Sequence, residues 1–304
     1  MARILIGISG WRYPPWRGVF YPDGLPQRRE LEFAAHTLPS IEINGSFYSL
    51  QRPESYARWY QETPAGFVFS VKGSRYITHI RRLRDIDQAL ANFFASGVFN
   101  LRDKLGPFLW QFPPNLRYQP EVFSDFLERL PRDGEQALSL ARRHEPWLAG
   151  RTSLALDPDR PLRHAVEIRH DSFRDESFVT LLRRHHVALV VADSPGKWPY
   201  VEDVTADFMY LRLHGEKELY ASGYTDEALE RWAARIRAWT RGGEPDDAVR
   251  ISRHPAPRAA ARDVYCYFDN DFKVRAPFDA VSLMGKLGME WGRSRELLGV
   301  GVGR

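Results

Sequence analysis

The chain has 304 residues, of which 43% are hydrophobic and 27% charged, so it has enough apolar surface to bury a core, and a disordered protein is excluded. Its 43 basic and 39 acidic residues leave a formal net charge of +4, a mild excess that does not by itself indicate a nucleic-acid-binding protein. The single cysteine, Cys266, excludes an internal disulfide and a multi-cysteine metal site, and fits a reducing compartment.

The N-terminus carries no basic segment followed by a long apolar stretch, and its first residues predict a strand instead of a signal peptide. No uncharged apolar run is long enough to cross a bilayer. We therefore expect a cytoplasmic protein that makes no contact with a membrane.

Short β-rich runs alternate with amphipathic stretches along the whole chain. The β-rich runs predict strands at residues 3–9, 40–44, 67–72, 108–112, 164–169, 187–193, 208–214 and 263–269. The amphipathic stretches predict helices at residues 30–36, 53–62, 85–99, 120–130, 135–143, 177–186, 227–240 and 280–290.

This alternation indicates a parallel α/β sheet, and eight such units close into a TIM-type (β/α)8 barrel. Little helix-forming sequence follows the sixth strand, so that βα unit looks degraded. No long linker divides the chain, and we expect one domain over residues 1–291. The Gly- and Arg-rich residues 292–304 predict a flexible C-terminal tail.

Polar residues in the predicted strands follow a period of two and so share one face of each strand. A charge against the helix layer is costly unless it is paired, so this face is expected to point into the barrel, near its C-terminal mouth. The resulting polar ring comprises Glu42, Asn44, Lys72, Gln111, Glu167, Arg169, Asp193, Arg212, His214 and Asp269. Its expected aromatic wall comprises Trp11, Tyr13, Trp16, Phe47 and Tyr48.

Seven sequence blocks occur in a fixed order and together resemble the YecE-like family, domain of unknown function 72. The blocks are GISGWRYPPWRGVFYP, EINGSFYSL, FVFSVKGSRYITH, LGPFLWQFPPN, HAVEIRHDSF, YLRLHG and DVYCYFDND. The resemblance runs from about residue 4 to about residue 277, and it implies a TIM-type barrel but no established reaction, substrate or cofactor. An Asn pair is common in that family where this chain has FDND, so Asn270 is the preferred site residue over Asp269.

The ring residues predict a small-molecule enzyme that uses acid/base chemistry on an anionic or polyol substrate at the barrel mouth. The predicted catalytic residues are Glu42, Glu167 and His214. The predicted substrate-binding residues are Trp11, Asn44, Tyr48, Lys72, Gln111, Arg169, Arg212 and Asn270. For any single ring residue, a buried ion pair that ties strands together is as plausible as a functional role, whereas the gathering of the ring at one end of every strand favours function. Lys72 is expected to act as a counter-ion to Glu42 in preference to a Schiff-base amine.

Two other functions remain open from the sequence. The ring carboxylates and His214 offer ligands for a divalent metal, although two arginines in the ring oppose a strongly cation-attracting pocket. A non-catalytic protein that binds an anionic metabolite or nucleic acid is the alternative to an enzyme. For nucleic acid, the basic segments 81–84, 142–144 and 183–186 are separate in sequence and share no recognised motif, which disfavours this partner.

Overall fold

The computed structural model describes residues 2–294, and eight parallel strands in this part of the chain form a closed barrel. The strands are β1 (Ile4–Ser9), β2 (Ser40–Ile43), β3 (Val68–Lys72), β4 (Leu105–Gln111), β5 (His164–Glu167), β6 (Ala188–Asp193), β7 (Phe208–Leu213) and β8 (Asp263–Phe268). Each strand pairs with the next, and β8 closes the sheet on β1 with Ile6 opposite Cys266. The predicted TIM-type barrel is confirmed.

Helices surround the barrel and connect most of its strands. They are α1 (Glu30–Thr37), α2 (Gly45–Tyr48), α3 (Pro53–Gln61), α4 (Asp87–Ala95), α5 (Pro120–Arg129), α6 (Gly134–Ala141), α7 (Glu176–His185), α8 (Asp226–Thr240) and α9 (Ala276–Lys286). The sequence does not predict α2, a single turn that follows β2. Among residues 2–294, no helix combines the length and apolarity needed to cross a lipid bilayer.

Two helix boundaries differ from the sequence prediction for local reasons. The helix predicted at 85–99 ends at Ala95, because Gly97 takes a left-handed conformation (φ +94°) and a Cβ there would lie 2.5 Å from Cα of Pro53. The helix predicted at 280–290 begins four residues earlier, where Pro277 fits the first turn without losing a hydrogen bond. The element order is unchanged by both differences.

The connection from β6 to β7 contains no helix, as the sequence predicted. A buried segment at residues 201–206 lies there instead and is fixed by polar contacts. The Glu202 carboxylate accepts a hydrogen bond from the backbone N–H of Val249, and Asp203 accepts from those of Ile251 and Ser252. The degraded unit is thus held by buried carboxylate–backbone bonds in place of a helix.

The interior of the barrel changes from apolar to polar along its axis. Its N-terminal part packs Leu5, Val68, Leu109, Ala165, Ala188, Val190, Phe208 and Tyr265. Above this layer, the Tyr210 hydroxyl lies 2.7 Å from Ser70 Oγ, and the Tyr267 hydroxyl lies 2.8 Å from Ser40 Oγ. The charged side chains lie beyond these hydroxyls, at the C-terminal end where barrel enzymes place their active sites.

Residues 295–304, most of the predicted flexible tail, lie outside the described part of the chain. The residues just before them pack on the barrel. The backbone N–H of Arg293 donates to the carbonyl of His36 at 2.7 Å, and the indole of Trp291 donates to the carbonyl of Ala35 at 2.8 Å. The last described residues are therefore anchored beside α1.

Candidate active site

The C-terminal end of the barrel opens into a cavity of about 580 Å³, a volume typical of small-molecule sites. Seven of the eight predicted substrate-binding residues line it: Trp11, Asn44, Tyr48, Lys72, Gln111, Arg169 and Arg212. The eighth, Asn270, does not line it. Its amide donates to the carboxylate of Asp279 at 2.7 Å and to the carbonyl of Ser222 at 3.0 Å.

Arg212 is the centre of a buried ion-pair cluster at the floor of the cavity. Its Nε and Nη2 donate to the two oxygens of Glu42 at 3.1 and 2.9 Å. Its Nη1 donates to Oε2 of Glu167 at 2.8 Å, and its Nη2 donates to Oδ2 of Asp269 at 2.9 Å and to Oγ of Ser9 at 3.0 Å. Strands β2, β5 and β7 and the end of β8 are thereby tied together through one guanidinium.

The predicted catalytic carboxylates Glu42 and Glu167 are fully buried behind Arg212 and do not line the cavity. Glu42 accepts two further hydrogen bonds, from Ser9 Oγ and from the Tyr210 hydroxyl, each at 2.6 Å. Burial alone would raise the pKa of Glu167, but the guanidinium groups of Arg169 and Arg212 outweigh burial and hold that pKa well below its usual value. Both carboxylates therefore match the ion-pair alternative that the sequence left open, and Glu167 stays ionised.

His214, the third predicted catalytic residue, is also fully buried and does not line the cavity. Its Nδ1 lies 3.0 Å from Oδ2 of Asp269, and its ring packs edge-on against Trp198 and Tyr220. The imidazole thus supports Asp269 from behind and has no direct path to a molecule in the cavity.

Lys72 does not form the expected ion pair with Glu42, because both oxygens of that carboxylate are occupied by Arg212, Ser9 and Tyr210. Its Nζ lies 4.3 Å from the centre of the Phe47 ring and makes no hydrogen bond or ion pair within residues 2–294. Burial, together with the positive charge of Arg212, lowers the pKa of Lys72 to about 8. The counter-ion prediction is wrong, and the amine faces the cavity without a hydrogen-bond or ion-pair partner among the described residues.

Arg169 supplies the second cationic group of the cavity. Its Nε donates to Oε1 of Glu167 at 2.8 Å, and its guanidinium lies 3.6 Å from the centre of the Trp198 ring, a cation–π contact. Its Nη2 lies 3.5 Å from the Tyr220 hydroxyl. These contacts fix the guanidinium plane while its remaining N–H groups stay available to a ligand.

Asp269 and Asp271 follow β8 and both line the cavity. Burial acts to raise the pKa of Asp269, but Arg212 and His214 more than offset it and hold that pKa below its usual value. Burial, and then repulsion by Asp269, raise the pKa of Asp271 well above its usual value. The pKa values of two neighbouring carboxyls in one cavity are therefore shifted in opposite directions, a pattern that marks acid/base sites.

The wall of the cavity is aromatic. Trp11 packs edge-to-face on Trp59 with 5.2 Å between ring centres, and Tyr48 at the rim is 69% exposed. Of the five predicted wall residues, only Trp16 does not line the cavity. It is fully buried and packs against Tyr13. The chain leaves β1 through Gly10 (φ +85°), a left-handed turn that glycine adopts at little cost.

One predicted ring residue lies on the wrong face of its strand, and two residues that shape the site were not identified from the sequence. Asp193 has the outward parity, because Ala188, Val190 and Ala192 face the interior, and its carboxylate accepts from the Tyr224 hydroxyl at 2.9 Å. Asp271 and Trp198 were missed. Asp271 gave one usable signal, a third polar residue directly after β8, whereas Trp198 lies in the irregular β6–β7 connection and gave none.

Two of the other predicted functions can be compared with the structure. Within residues 2–294, no group of three or more His, Cys, Asp or Glu side chains has an arrangement that could hold a metal ion. In the basic segments, Arg82 donates to the Asn115 carbonyl and Arg84 to Gln119, both at 2.8 Å, and Arg183 donates to the Val204 carbonyl at 3.1 Å. These arginines fold back onto the protein.

The fold and the cavity define a class, an α/β-barrel protein with a charged, aromatic-walled cavity at the C-terminal mouth. The family described as "Protein of unknown function DUF72" matches residues 5–297, and the chain belongs to this family. The resemblance found in the sequence is thereby confirmed.

Named relatives agree with this assignment. The chain is 29% identical over 242 residues to the UPF0759 protein YecE of Escherichia coli O157:H7, covering 78% of this chain and 82% of YecE. It is 31% identical over 116 residues to the UPF0759 protein YunF of Bacillus subtilis (strain 168), a match that covers 36% of this chain and 40% of YunF.

Two solved structures of DUF72 family proteins have the same fold. The protein from Thermotoga maritima MSB8 superposes with a TM-score of 0.71 at 23% identity, covering 94% of this chain and 99% of that one. The protein from Enterococcus faecalis V583 superposes with a TM-score of 0.67 at 16% identity, covering 95% and 96%. At these identities the likeness establishes the fold alone.

Proposed function

We propose that this protein is an enzyme that performs acid/base chemistry on a small anionic or polyol substrate at the C-terminal mouth of the barrel. One observation carries the proposal: Lys72, Arg169 and Asp271 line the same cavity, and the Lys72 amine, which lies over the Phe47 ring, has no hydrogen-bond or ion-pair partner among the described residues. An unpaired amine in a largely buried position is costly to a protein that uses it only as structure.

The charges around the cavity support an anionic group on the substrate. Glu42 and Glu167 lie behind Arg212, so the groups that reach the cavity are mainly cationic. Arg169 presents a guanidinium held 3.6 Å from the centre of the Trp198 ring, and a guanidinium is suited to a carboxylate or phosphate. The Gln111 amide lines the cavity without a hydrogen bond from the described residues and is available to a hydroxyl of the substrate.

In this proposal Asp271 transfers the proton, in place of Glu42 and Glu167, which the sequence predicted for this role. A carboxyl with a raised pKa keeps its proton to a higher pH than an ordinary carboxyl and gives it to a substrate oxygen as negative charge develops there. Asp269 stays ionised and holds Arg212 and His214 in place. Glu42, Glu167 and His214 then position the cluster and do not touch the substrate.

Calorimetry with phosphate, citrate, glycolate, gluconate and glycerol tests the binding part of the proposal. We expect at least one of the anions to bind, and Arg169→Met to weaken it about 10- to 100-fold, the loss of one charge-assisted hydrogen bond. Arg174→Met is the matched control, since this arginine pairs with Asp171 outside the cavity. Equal affinities of both variants and the wild type would contradict the assignment of Arg169.

Solvent exchange tests the acid/base part. Incubation of the wild type in D2O with 2-hydroxy acids, 2-keto acids and sugar acids, followed by proton NMR, reports transfer of protons to and from carbon. We expect exchange with the wild type and with Asp171→Asn, and at least a 100-fold slower exchange with Asp271→Asn, the scale of general-acid catalysis. Binding without exchange or any other conversion of these compounds would favour the non-catalytic binding protein.

A further inference from the structure

Lys72 differs from the other lysines of the chain. Two of the six lysines are buried, Lys72 and Lys104. The amine of Lys104 donates to the carbonyls of Tyr60 and Thr63 at 2.6 Å. The amine of Lys72 makes no such bond within the described residues, although the side chain is only 8% exposed.

The geometry aims this amine into the cavity. Lys72 is the last residue of β3, its side chain has the inward parity of Val68 and Ser70, and Nζ lies over the Phe47 ring. Gly73 follows directly, and a Cβ there would lie 2.3 Å from the Trp110 ring, so the chain bends closely past this tryptophan. The amine is thus held in a defined place with one open side.

The surroundings also keep a fraction of the amine neutral at physiological pH. Burial and the neighbouring Arg212 lower the pKa of Lys72 to about 8, which leaves roughly 10% of the amine unprotonated at pH 7, against well under 1% for an ordinary lysine. Desolvation and a neighbouring cation are the two means by which enzymes make a lysine nucleophilic.

We propose that Lys72 forms an imine with a small aldehyde or ketone that carries an anionic group, with the anion held by Arg169. The inference deepens the proposed function and depends on it for the placement of the anion. It goes beyond that function because it assigns Lys72 a covalent role and defines the substrate as a carbonyl compound.

Imine formation at Lys72 needs only the carbonyl compound, the neutral amine and the protonated Asp271 carboxyl. The lone pair of Nζ attacks the carbonyl carbon, and a proton moves from nitrogen to the former carbonyl oxygen to give a carbinolamine. The Asp271 carboxyl then protonates this hydroxyl, which leaves as water while the C=N bond forms. The products are a protonated imine, one water molecule and the Asp271 carboxylate.

Reductive trapping tests the proposal. Wild-type protein is incubated at pH 7.5 with glyoxylate, pyruvate or glyceraldehyde 3-phosphate, or with the uncharged propanal, and is then reduced with sodium borohydride. Intact-mass and peptide mass spectrometry locate the adducts. With at least one anionic carbonyl compound, we expect Lys72 to be labelled at least tenfold faster than any other lysine, and Arg169→Met to slow this labelling without slowing that by propanal.

The variants separate chemistry from folding. Lys72→Arg keeps the cation but cannot form an imine, so we expect no adduct at position 72, and we expect binding of the anion that binds the wild type to be weakened less than by Arg169→Met. Lys286→Met is the matched control, because this lysine lies on the outer helix α9, where it pairs with Asp226 of α8. We expect unchanged labelling of Lys72 in this variant.

The outcomes also separate the two proposals. Anion binding by the wild type without preferential labelling of Lys72 would overturn the imine and leave the proposed function standing. Absence of both anion binding and labelling would overturn both. Labelling spread over the lysines in proportion to their exposure would show that Lys72 has no special reactivity.

Discussion

Lys72 and Glu42 lie on neighbouring strands with their side chains on the inner face of the barrel, yet they form no ion pair. Four hydrogen bonds from Arg212, Ser9 and Tyr210 occupy the Glu42 carboxylate. The competition is decided by Arg212, whose planar guanidinium meets both carboxylate oxygens at once, whereas an ammonium offers a single point of charge. The amine is left facing the cavity.

This unpaired amine predicts that Lys72→Met stabilises the protein at neutral pH. A pKa lowered to about 8 in the folded state, against about 10.4 when unfolded, disfavours the charged lysine by up to about 3 kcal/mol. Methionine keeps the apolar stem but loses the contact with Phe47, so we expect a gain of about 1–2 kcal/mol in the free energy of unfolding by guanidinium titration at pH 7.

The gain has a defined pH dependence. Because the folded pKa of Lys72 lies below the unfolded value, wild-type stability rises as the pH increases from about 8 to about 10.4, and the advantage of Lys72→Met shrinks over the same window. The control is Lys104→Met, which leaves the carbonyls of Tyr60 and Thr63 unpaired and is expected to destabilise. Destabilisation by both substitutions would indicate that Lys72 is structural.

Glu167→Gln is expected to destabilise the protein by about 3–5 kcal/mol at pH 7, because it leaves Arg169 and Arg212 short of a buried negative charge. Guanidinium titration measures the loss. Glu32→Gln, at an exposed pair with Arg29, is the control and should cost about 1 kcal/mol or less. An unchanged free energy of unfolding for Glu167→Gln would show that the cluster contributes nothing to stability.

The lowered pKa of Glu167 also predicts acid sensitivity. Its stabilisation is complete above the unfolded pKa of about 4.3 and is lost as the pH falls through the lower folded pKa. Wild type should therefore lose stability below about pH 4 more steeply than Glu167→Gln. Parallel curves for the two proteins would contradict the effect of Arg169 and Arg212 on this carboxylate.

Asp271→Asn is expected to gain stability relative to wild type as the pH rises above about 4. The folded pKa of Asp271 is raised, so its contribution to stability is complete below the unfolded pKa and is lost as the pH rises toward the folded pKa. Asparagine does not ionise and avoids this loss. Unfolding at pH 4, 5.5 and 7 measures the difference. A constant difference for Asp271→Asn would contradict the raised pKa.

Trp198→Ala is expected to weaken anion binding about 3- to 30-fold, because the indole holds the Arg169 guanidinium and such contacts contribute about 0.5–2 kcal/mol. Calorimetry with the anion that binds wild type most tightly measures the loss. Trp147→Ala is the control, since this exposed indole lies outside the mouth and bonds Glu145. Equal effects of the two substitutions would remove Trp198 from the site.

The alternation of strands and helices predicted the barrel, and the period of two predicted which strand residues face inward. Glu42, Lys72, Glu167 and Arg212 all have the predicted parity. The same rule, applied to β8, places Asp269 inward and Asn270 outward. The family resemblance favoured Asn270 as a site residue, whereas the alternation of side chains along the strand favoured Asp269.

The sequence could not predict which ring residues form ion pairs with one another and which face the cavity. Parity brings charged side chains to one place, but it does not decide which cation pairs with which carboxylate. That choice depends on distances between strands that are remote in sequence, such as β2 and β7. Trp198 lies in a connection without regular structure, where no periodicity indicates the direction of a side chain.

The proposed imine chemistry depends most on one property, a Lys72 amine that is partly neutral at physiological pH. Carbon-13 NMR of protein labelled at lysine Cε resolves the titration of the six lysines between pH 6 and pH 11, with Lys72 assigned from Lys72→Arg. We predict a midpoint of about 8 for Lys72. A midpoint near 10.4, the ordinary value for lysine, would show that the amine is paired or hydrated and would contradict its assigned role.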